Sequence, residues 1–562
     1  GTVLAEPEAG SIAAAVDGLQ AAGVKSVALC FLNSYANAAN ERVVADAIRA
    51  AAPAIFVSLS AEIAPQIREY PRASTTAINA YTMPISLPYL RGLAERLAAE
   101  RFANEPLIML SSGGIIGAEI AGRHPVRMIE SGPAAGALAA CHYCEVLGID
   151  RLMSFDMGGT TAKLCVVEKG QPLTANDFEV DRKYRFKKGS GLPVKTPVIE
   201  MIEIGAGGGS IARIDSLGLL KVGPDSAGAE PGPVCYGRGG TEPTVTDADL
   251  ILGYLDPAFF LGGRMKLDLA ATERAIKERI ADPLGLSVAE AAWGIHQVVN
   301  ESMANAARVH AIERGKDARS FPVFAFGGAG PVHAYRVAEA LHAPAMISPY
   351  AAGVTSTVGF LTAPLAFDFV RTSTGRLDEL NWANVNQIYG EMEGSGRQIL
   401  LDSGVPESDI SYTRSADVRY IGQGYEVRVP LPAGQLGDGS RDTLVEAFET
   451  VYKQLYGRIG PNVGLEIISW RLVVSGPKPS LQIKAEGPER GTADEAIKGH
   501  RRVYHPEWRE YRDSPVYDRY RLAPGATFVG PAIVEEREST VVIGPGAQCT
   551  IDALRNLRVD FT

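Results

Sequence analysis

The stretch that most constrains this chain is residues 154–167, Ser-Phe-Asp-Met-Gly-Gly-Thr-Thr-Ala-Lys-Leu-Cys-Val-Val. The apolar runs 153–155 and 164–167 have the length and composition of buried strands, and the two glycines between them mark a tight turn. Gly158 and Gly159 lack a Cβ where the backbone reverses, so their N–H groups can approach an anionic oxygen closely. Thr160 and Thr161 add two hydroxyl donors, and Asp156, at the end of the first strand, could hold a hydrated Mg²⁺. Two readings stand side by side. One is a phosphate-binding turn built on a hairpin rather than on a strand-to-helix loop; the other is an ordinary hairpin with a polar tip.

Length and charge narrow the choice. A chain of 562 residues has room for three or four domains, and its 46% hydrophobic and 21% charged content is that of a globular protein. A formal net charge of −10 argues against nucleic acid or an anionic membrane surface as partner. No apolar run reaches the length of a membrane span, and the N-terminus lacks the basic-then-apolar pattern of a signal peptide. Six cysteines in this length make no disulfide framework, which fits a reducing cytoplasm. The chain opens on Gly1 without a methionine, in the middle of an alternating pattern, and so reads as part of something longer.

That pattern runs helix 11–22, strand 26–32, helix 38–51 and strand 55–59. The triplet Ser74-Thr75-Thr76 then precedes a Leu/Ala-rich helix that ends near residue 100. Alternation of this kind predicts an α/β domain. A strand at 106–110 ends in Ser111-Ser112-Gly113-Gly114. Next, Ser131-Gly132-Pro133 opens a helix over 134–147, either as a plain cap or as a set of free N–H groups aimed at a ligand. Within that helix Cys141, His142 and Cys144 form a single CxxC without a second pair, and read as packing rather than as a zinc site, which needs four ligands.

Beyond the hairpin, Gly205-Ala206-Gly207-Gly208-Gly209 is the densest glycine loop, and implies something that must come close to that backbone. Glu200 and Glu203 lie just upstream on a strand, either solvated or turned toward a substrate. Residues 223–249 read as an ordered loop carrying Asp225, Arg238, Thr244, Thr246, Asp247 and Asp249. Helices follow over 270–280 and 287–313, the second carrying Asn300, Glu301, Asn305, Arg308 and His310. A strand at 322–326 then meets Gly327-Gly328-Ala329-Gly330-Pro331 and a helix over 332–341, an arrangement that sets a helix N-terminus over a nucleotide's phosphate or ribose. His333 either lines that site or packs inside the helix. Further on come a helix at 381–401, paired strands within 417–430, a helix at 443–455 and a strand-rich tail from 464. The charged stretch 484–502 reads as a surface loop, and the Tyr/Arg-rich 509–521 as a partner contact.

These motifs taken together resemble the hydantoinase A/5-oxoprolinase family. The resemblance is carried by Phe155-Asp156-Met157-Gly158-Gly159-Thr160, residues 205–210, 223–249 and 326–331, joined by 131–136, 417–424 and Gly530-Pro531-Ala532-Ile533-Val534-Glu535, in family order along the chain. It implies an α/β fold of the actin/hexokinase-like ATPase type, two lobes clasping ATP with a β-rich C-terminal region. The implied partition is 1–150 for the remainder of the first lobe, 151–375 for the second lobe with its phosphate and adenosine motifs, and 376–562 for the C-terminal domain.

The chemistry so implied is ATP-dependent activation of a poorly reactive carbonyl in a small molecule, with Mg²⁺ on the phosphates. Asp156 would hold the metal or position water; Gly158, Gly159, Thr160 and Thr161, with Gly207 and Gly208, would face the phosphates; Gly327, Gly328 and Gly330 would take the adenosine side. Glu203 and Asp247 are candidates for work on the substrate. The family's A-type chain commonly works with a B-type subunit in a hetero-oligomer. Ring-opening hydrolysis of a hydantoin, lactam or oxoproline is the first expectation. ATP-dependent ketone carboxylation is the alternative, and a nucleotide-binding structural subunit without turnover is the third. Two departures bear on these. The family's N-terminal Asp-x-Gly-Gly-Thr hairpin does not occur in this sequence, and Lys163 stands where many members carry an acid, to pair a phosphate or to mark a subgroup.

Overall fold

The computed structural model describes residues 2–184, 189–460, 463–483 and 485–561. The chain forms two compact units, neither of them one continuous stretch. The first comprises Gly1–Ala134, Thr174–Ile199 and Ala363–Pro479; the second comprises Ala135–Leu173, Glu200–Thr362 and Ser480–Thr562. Cuts at residues 150 and 375 therefore do not coincide with the contact boundaries, because the chain leaves and re-enters each unit.

In the first unit, parallel strands Ser26–Leu29 and Phe56–Leu59 pack against the helices Ala9–Ala21 and Ala39–Ala51 through Val16, Leu29, Ala45, Ile48 and Leu59. The long helix Glu69–Ala99 begins well before the expected start and absorbs the Ser-Thr-Thr triplet. Thr75 and Thr76 return their hydroxyls to the carbonyls of Pro71 and Arg72, a bond that helical backbone allows, so the triplet does not break the helix. A four-stranded antiparallel sheet runs in the order Ala366–Arg376, Leu465–Ser475, Ser411–Tyr420, Val427–Pro430. Its core, built around buried Trp470 and Tyr389, also takes side chains from the helices Trp382–Asp402 and Ser440–Tyr456.

The second unit holds a nine-stranded mixed sheet. The path runs Ile202–Ile204, Ala162–Glu168, Arg151–Met157, Val323–Phe326, Ala345–Ser348, Leu557–Asp560, Gln548–Ile551, Thr527–Val529, and Gln171–Pro172 pairs off it. The hairpin strands are as expected and lie inside this sheet, with Met153, Phe155, Met157, Leu164 and Val166 buried in the unit's main core. Strand Val323–Phe326 runs parallel to Arg151–Met157 and sets Phe326 beside Asp156.

Three expectations change in this unit. Residues 245–251, read as loop, form the helix Val245–Ile251, started by a capping box in which Thr244 and Asp247 satisfy each other's backbone. The charged stretch read as a surface loop contains the strand Ile497–His505, whose exposed residues include Lys498, Gly499, His500 and Arg502; Lys484 itself lies outside the described residues. The Tyr/Arg-rich segment is for the most part the strand Glu510–Asp518; Tyr517 and Arg519 are buried within the unit, while Glu510, Arg512 and Asp513 are exposed. Arg519 donates to the carbonyls of Ser348 and Arg555 and pairs with Glu536. Cys141 and Cys144 are buried in the helix Ser131–Leu147, and no disulfide occurs among the described residues. No described helix is long and apolar enough to cross a membrane.

Candidate functional site

Strand geometry fixes Asp156. Met153, Phe155 and Met157 belong to the main core, so Ser154 and Asp156 face the opposite side of the sheet. There the Asp156 carboxylate is enclosed by two glycines. A Cβ on Gly136 would lie 3.5 Å from Oδ2, and one on Gly327 only 2.5 Å from Oδ1. Gly327 also has φ +87°, a conformation that side chains disfavour. No described residue donates a hydrogen bond to this carboxylate. Burial pushes its pKa up to about 6, against the opposing charge of Lys163. A mostly buried acid without a donor is the kind of group that a cation would complete.

The turn beyond it is held from below. Gly158 donates to Thr161, while Gly208 and Gly209 donate to the carbonyls of Gly158 and Gly159 at 3.0 and 2.7 Å. Gly207 must be glycine because a Cβ would come within 2.6 Å of the Gly159–Thr160 backbone. The 205–209 loop is thus dense in glycine partly to let two backbones touch, and the Gly208 and Gly209 N–H groups are already engaged. Gly159 and Thr160 stay exposed at the tip, with no acceptor for their N–H groups among the described residues. Thr161 accepts from Lys163 Nζ at 2.9 Å, and Lys163 also pairs with Glu203 at 3.2 Å across the neighbouring strand.

On the adjoining strand, Ala329 donates to Met157 and Gly327 to Ala352. The helix Gly330–Leu341 then starts with no side-chain cap, leaving its first turn polarised positively toward the space ahead. That space is a cavity of about 170 Å³. Gly158, Gly159, Gly208, Thr246, Gly328 and Ala329 form one wall. Aromatic Tyr236, Phe259 and Phe260 form another, and residues 535–540 close it.

The sequence candidates therefore divide. Gly158, Gly159, Gly208 and Gly328 meet at the cavity, with Asp156, Thr160, Thr161, Gly207, Gly327 and Gly330 on the segments that build it. Glu203 is half-exposed on an outer strand and paired with Lys163. Asp247 is fully buried and accepts from the N–H groups of Val234, Cys235 and Thr244 and from the Thr244 hydroxyl, which leaves it pinning the 234–244 loop rather than facing the cavity. Glu200 is bound by Arg314 through two guanidinium nitrogens.

Several lining residues were either named in the sequence without a role of their own, as Asp249 and Glu535 were, or not named at all. Residues 535–540 approach from far along the chain, and Glu536 is buried there, accepting from Ala351, Ala352 and Ser539. Asp249, at the cavity wall, contacts His296 and His333 behind it. Burial pushes the Asp249 carboxyl up, but the two imidazoles outweigh it and hold it at about 2. The capping-box pattern of Thr244 with Asp247 was the one sequence signal that could have placed Asp249 on a helix, two residues past Asp247.

The residues present fit a magnesium–nucleotide on two observations: the partnerless Asp156 carboxylate, and the Gly327 position that a Cβ would fill. Comparison with known proteins places the chain among related sequences and structures. The hydantoinase/oxoprolinase family model matches residues 72–369, and the hydantoinase/oxoprolinase C-terminal domain matches residues 376–560. The alpha subunit of caprolactamase from Pseudomonas jessenii is 36% identical over 552 residues, covering 96% of this chain and 77% of that subunit. The crystal structure of the ATP-dependent caprolactamase from that organism superposes with a TM-score of 0.83 at 34% identity, covering all of this chain and 80% of the other. The gamma subunit of acetophenone carboxylase from Aromatoleum aromaticum is 32% identical over 548 residues, covering 94% of this chain and 73% of the subunit.

Proposed function

Because this chain belongs to the hydantoinase/oxoprolinase family, we propose that it is the ATP-using subunit of a complex that activates the carbonyl of a cyclic amide for ring-opening hydrolysis. The observation that carries the reading is the Asp156 carboxylate, enclosed between Gly136 and Gly327 and without a donor, beside a turn with free N–H groups. When bound, ATP with Mg²⁺ supplies a transferable phosphoryl group, which turns an unreactive carbonyl oxygen into a leaving group.

The chain's own residues do the rest. Asp156 holds the cation. The Gly159 and Thr160 N–H groups and the Thr160 and Thr161 hydroxyls receive phosphate oxygens, and they are fixed in place by the Gly207–Gly209 backbone below. Gly327, Gly328 and Gly330 let the nucleoside side approach the backbone. Tyr236, Phe259 and Phe260 offer an apolar surface that excludes water from the reacting end. In this reading Asp247 keeps the loop folded and Glu203 orients Lys163, so neither touches the reacting atoms. The fold assumed is that of the actin/hexokinase-like ATPases, and the partner is a B-type subunit; the subunit names of the relatives support a hetero-oligomer.

A second reading, ATP-dependent ketone carboxylation on the same site, is favoured by the likeness to the acetophenone carboxylase subunit. Phosphate release by the purified complex, assayed against hydantoins, lactams and oxoproline and against ketones with bicarbonate, separates the two. Stimulation by a cyclic amide supports hydrolysis, and stimulation that needs both ketone and bicarbonate supports carboxylation. Nucleotide binding without release on any substrate would leave a structural subunit.

A further inference from the structure

Three helices of the second unit bring together a cluster that the nucleotide reading does not use. Asp249 comes from Val245–Ile251, His296 from Val288–Glu313 and His333 from Gly330–Leu341. Their side chains are 4%, 1% and 0% exposed. His296 Nδ1 lies 2.8 Å from Asp249 Oδ1, and His333 Nε2 lies 3.3 Å from Oδ2. One ligand atom from each residue falls within 4.8 Å of the other two. The two rings stack at 4.5 Å with 20° between their planes, and Trp293 and Tyr254 pack on His296. The imidazole rings are therefore packed against one another and against neighbouring aromatic side chains.

Its hydrogen bonding is incomplete as protein alone. His333 Nδ1 is engaged by Asn300 Oδ1 at 2.8 Å, which orients the ring and turns Nε2 toward the carboxylate. Nε2 itself has no hydrogen-bond partner, and neither has Asn300 Nδ2 or His296 Nε2. With Nδ1 held by Asn300, the ring presents Nε2 to the carboxylate oxygen at 3.3 Å without a hydrogen bond between them, the placement of two ligand atoms beside a shared ion. An outer oxygen that fixes the ring of a ligating histidine is the usual support of a metal site. Two imidazoles and one carboxylate are the donor set of first-row divalent ions, not of Mg²⁺, and three protein ligands leave a fourth position open. Asp249 lines the cavity, so that position has a route to solvent or substrate.

We propose that Asp249, His296 and His333 bind one divalent transition-metal ion of the zinc type, open toward the cavity and separate from the magnesium held by Asp156.

The test uses the full chain in its natural complex, dialysed against a weak chelator. Elemental analysis is expected to find one equivalent of zinc or a neighbouring first-row metal per chain, and Co²⁺ exchanged into the protein is expected to give the visible bands of a low-coordinate site. His296→Asn and His333→Gln should each lose that equivalent and those bands, and Asn300→Leu should weaken Zn²⁺ affinity about ten- to hundredfold. Metal held elsewhere in the complex would survive these substitutions. Wild-type protein that retains no transition metal and gives no Co²⁺ bands overturns the proposal, as does metal content equal in wild type and both histidine variants. If a variant does not fold, the wild-type metal content and Co²⁺ spectrum decide.

Discussion

Gly327 stands so close to Asp156 that a methyl group on its α-carbon would lie 2.5 Å from the carboxylate oxygen, and its φ of +87° favours glycine independently. Gly327→Ala must therefore either displace the carboxylate or twist the strand-to-helix turn. The expected result is a loss of about 1–3 kcal/mol in stability with loss of nucleotide binding. Gly159→Ala is the control. Nothing lies within 4 Å of its Cβ position and its φ is not in the left-handed region, so thermal melting should be unchanged. Calorimetric melting and nucleotide titration of both variants check the pair.

Asp156 also carries a pH dependence. Its pKa rises from an ordinary 3.8 to about 6 in the folded chain, with burial as the cause. Between those values the folded state binds the extra proton, so without nucleotide or magnesium the fold loses stability as pH rises from about 4 through 6. The shift corresponds to roughly 3 kcal/mol at ~1.36 kcal/mol per pK unit. Asp156→Asn removes that cost. The variant should melt several degrees above wild type at pH 8, with the gap closing toward pH 4, as melting curves across that range will read.

Asp247→Ala should act on the fold rather than only on turnover. Three backbone N–H groups and one hydroxyl lose their acceptor in a fully buried place, at an expected cost of about 2–4 kcal/mol. A large fall in melting temperature fits; an unchanged melt with kcat alone reduced would return Asp247 to the reacting centre.

Glu203→Gln tests the opposite case. Its partner Lys163 is partly exposed, and an exposed pair contributes about 0–1 kcal/mol. Melting and kcat/KM should both stay close to wild type. A hundredfold fall in kcat would instead place Glu203 on the substrate.

The hairpin was legible because strand, turn and strand are consecutive in the chain. The Gly327 turn was legible for the same reason. The 205–209 loop was read for its flexibility, whereas Gly207 is required by contact with the Gly159–Thr160 backbone, a neighbour that no local pattern names. The helix at Val245–Ile251 was missed although Thr244 and Asp247 spell its start, because the surrounding glycines and prolines dominate the composition. The strand Ile497–His505 escaped because charged residues fill its exposed positions. Asp249 and His296 lie 47 residues apart and meet only after three helices pack, so the cluster has no sequence signature.

The most direct test of the central claim is substrate-stimulated phosphate release by the purified complex with Asp156→Asn beside wild type, both shown folded by melting. The account predicts release from ATP in wild type and a fall of at least about a hundredfold in the variant, from lost charge stabilisation at the transferring phosphoryl. Release at the wild-type rate from a folded Asp156→Asn complex would contradict it.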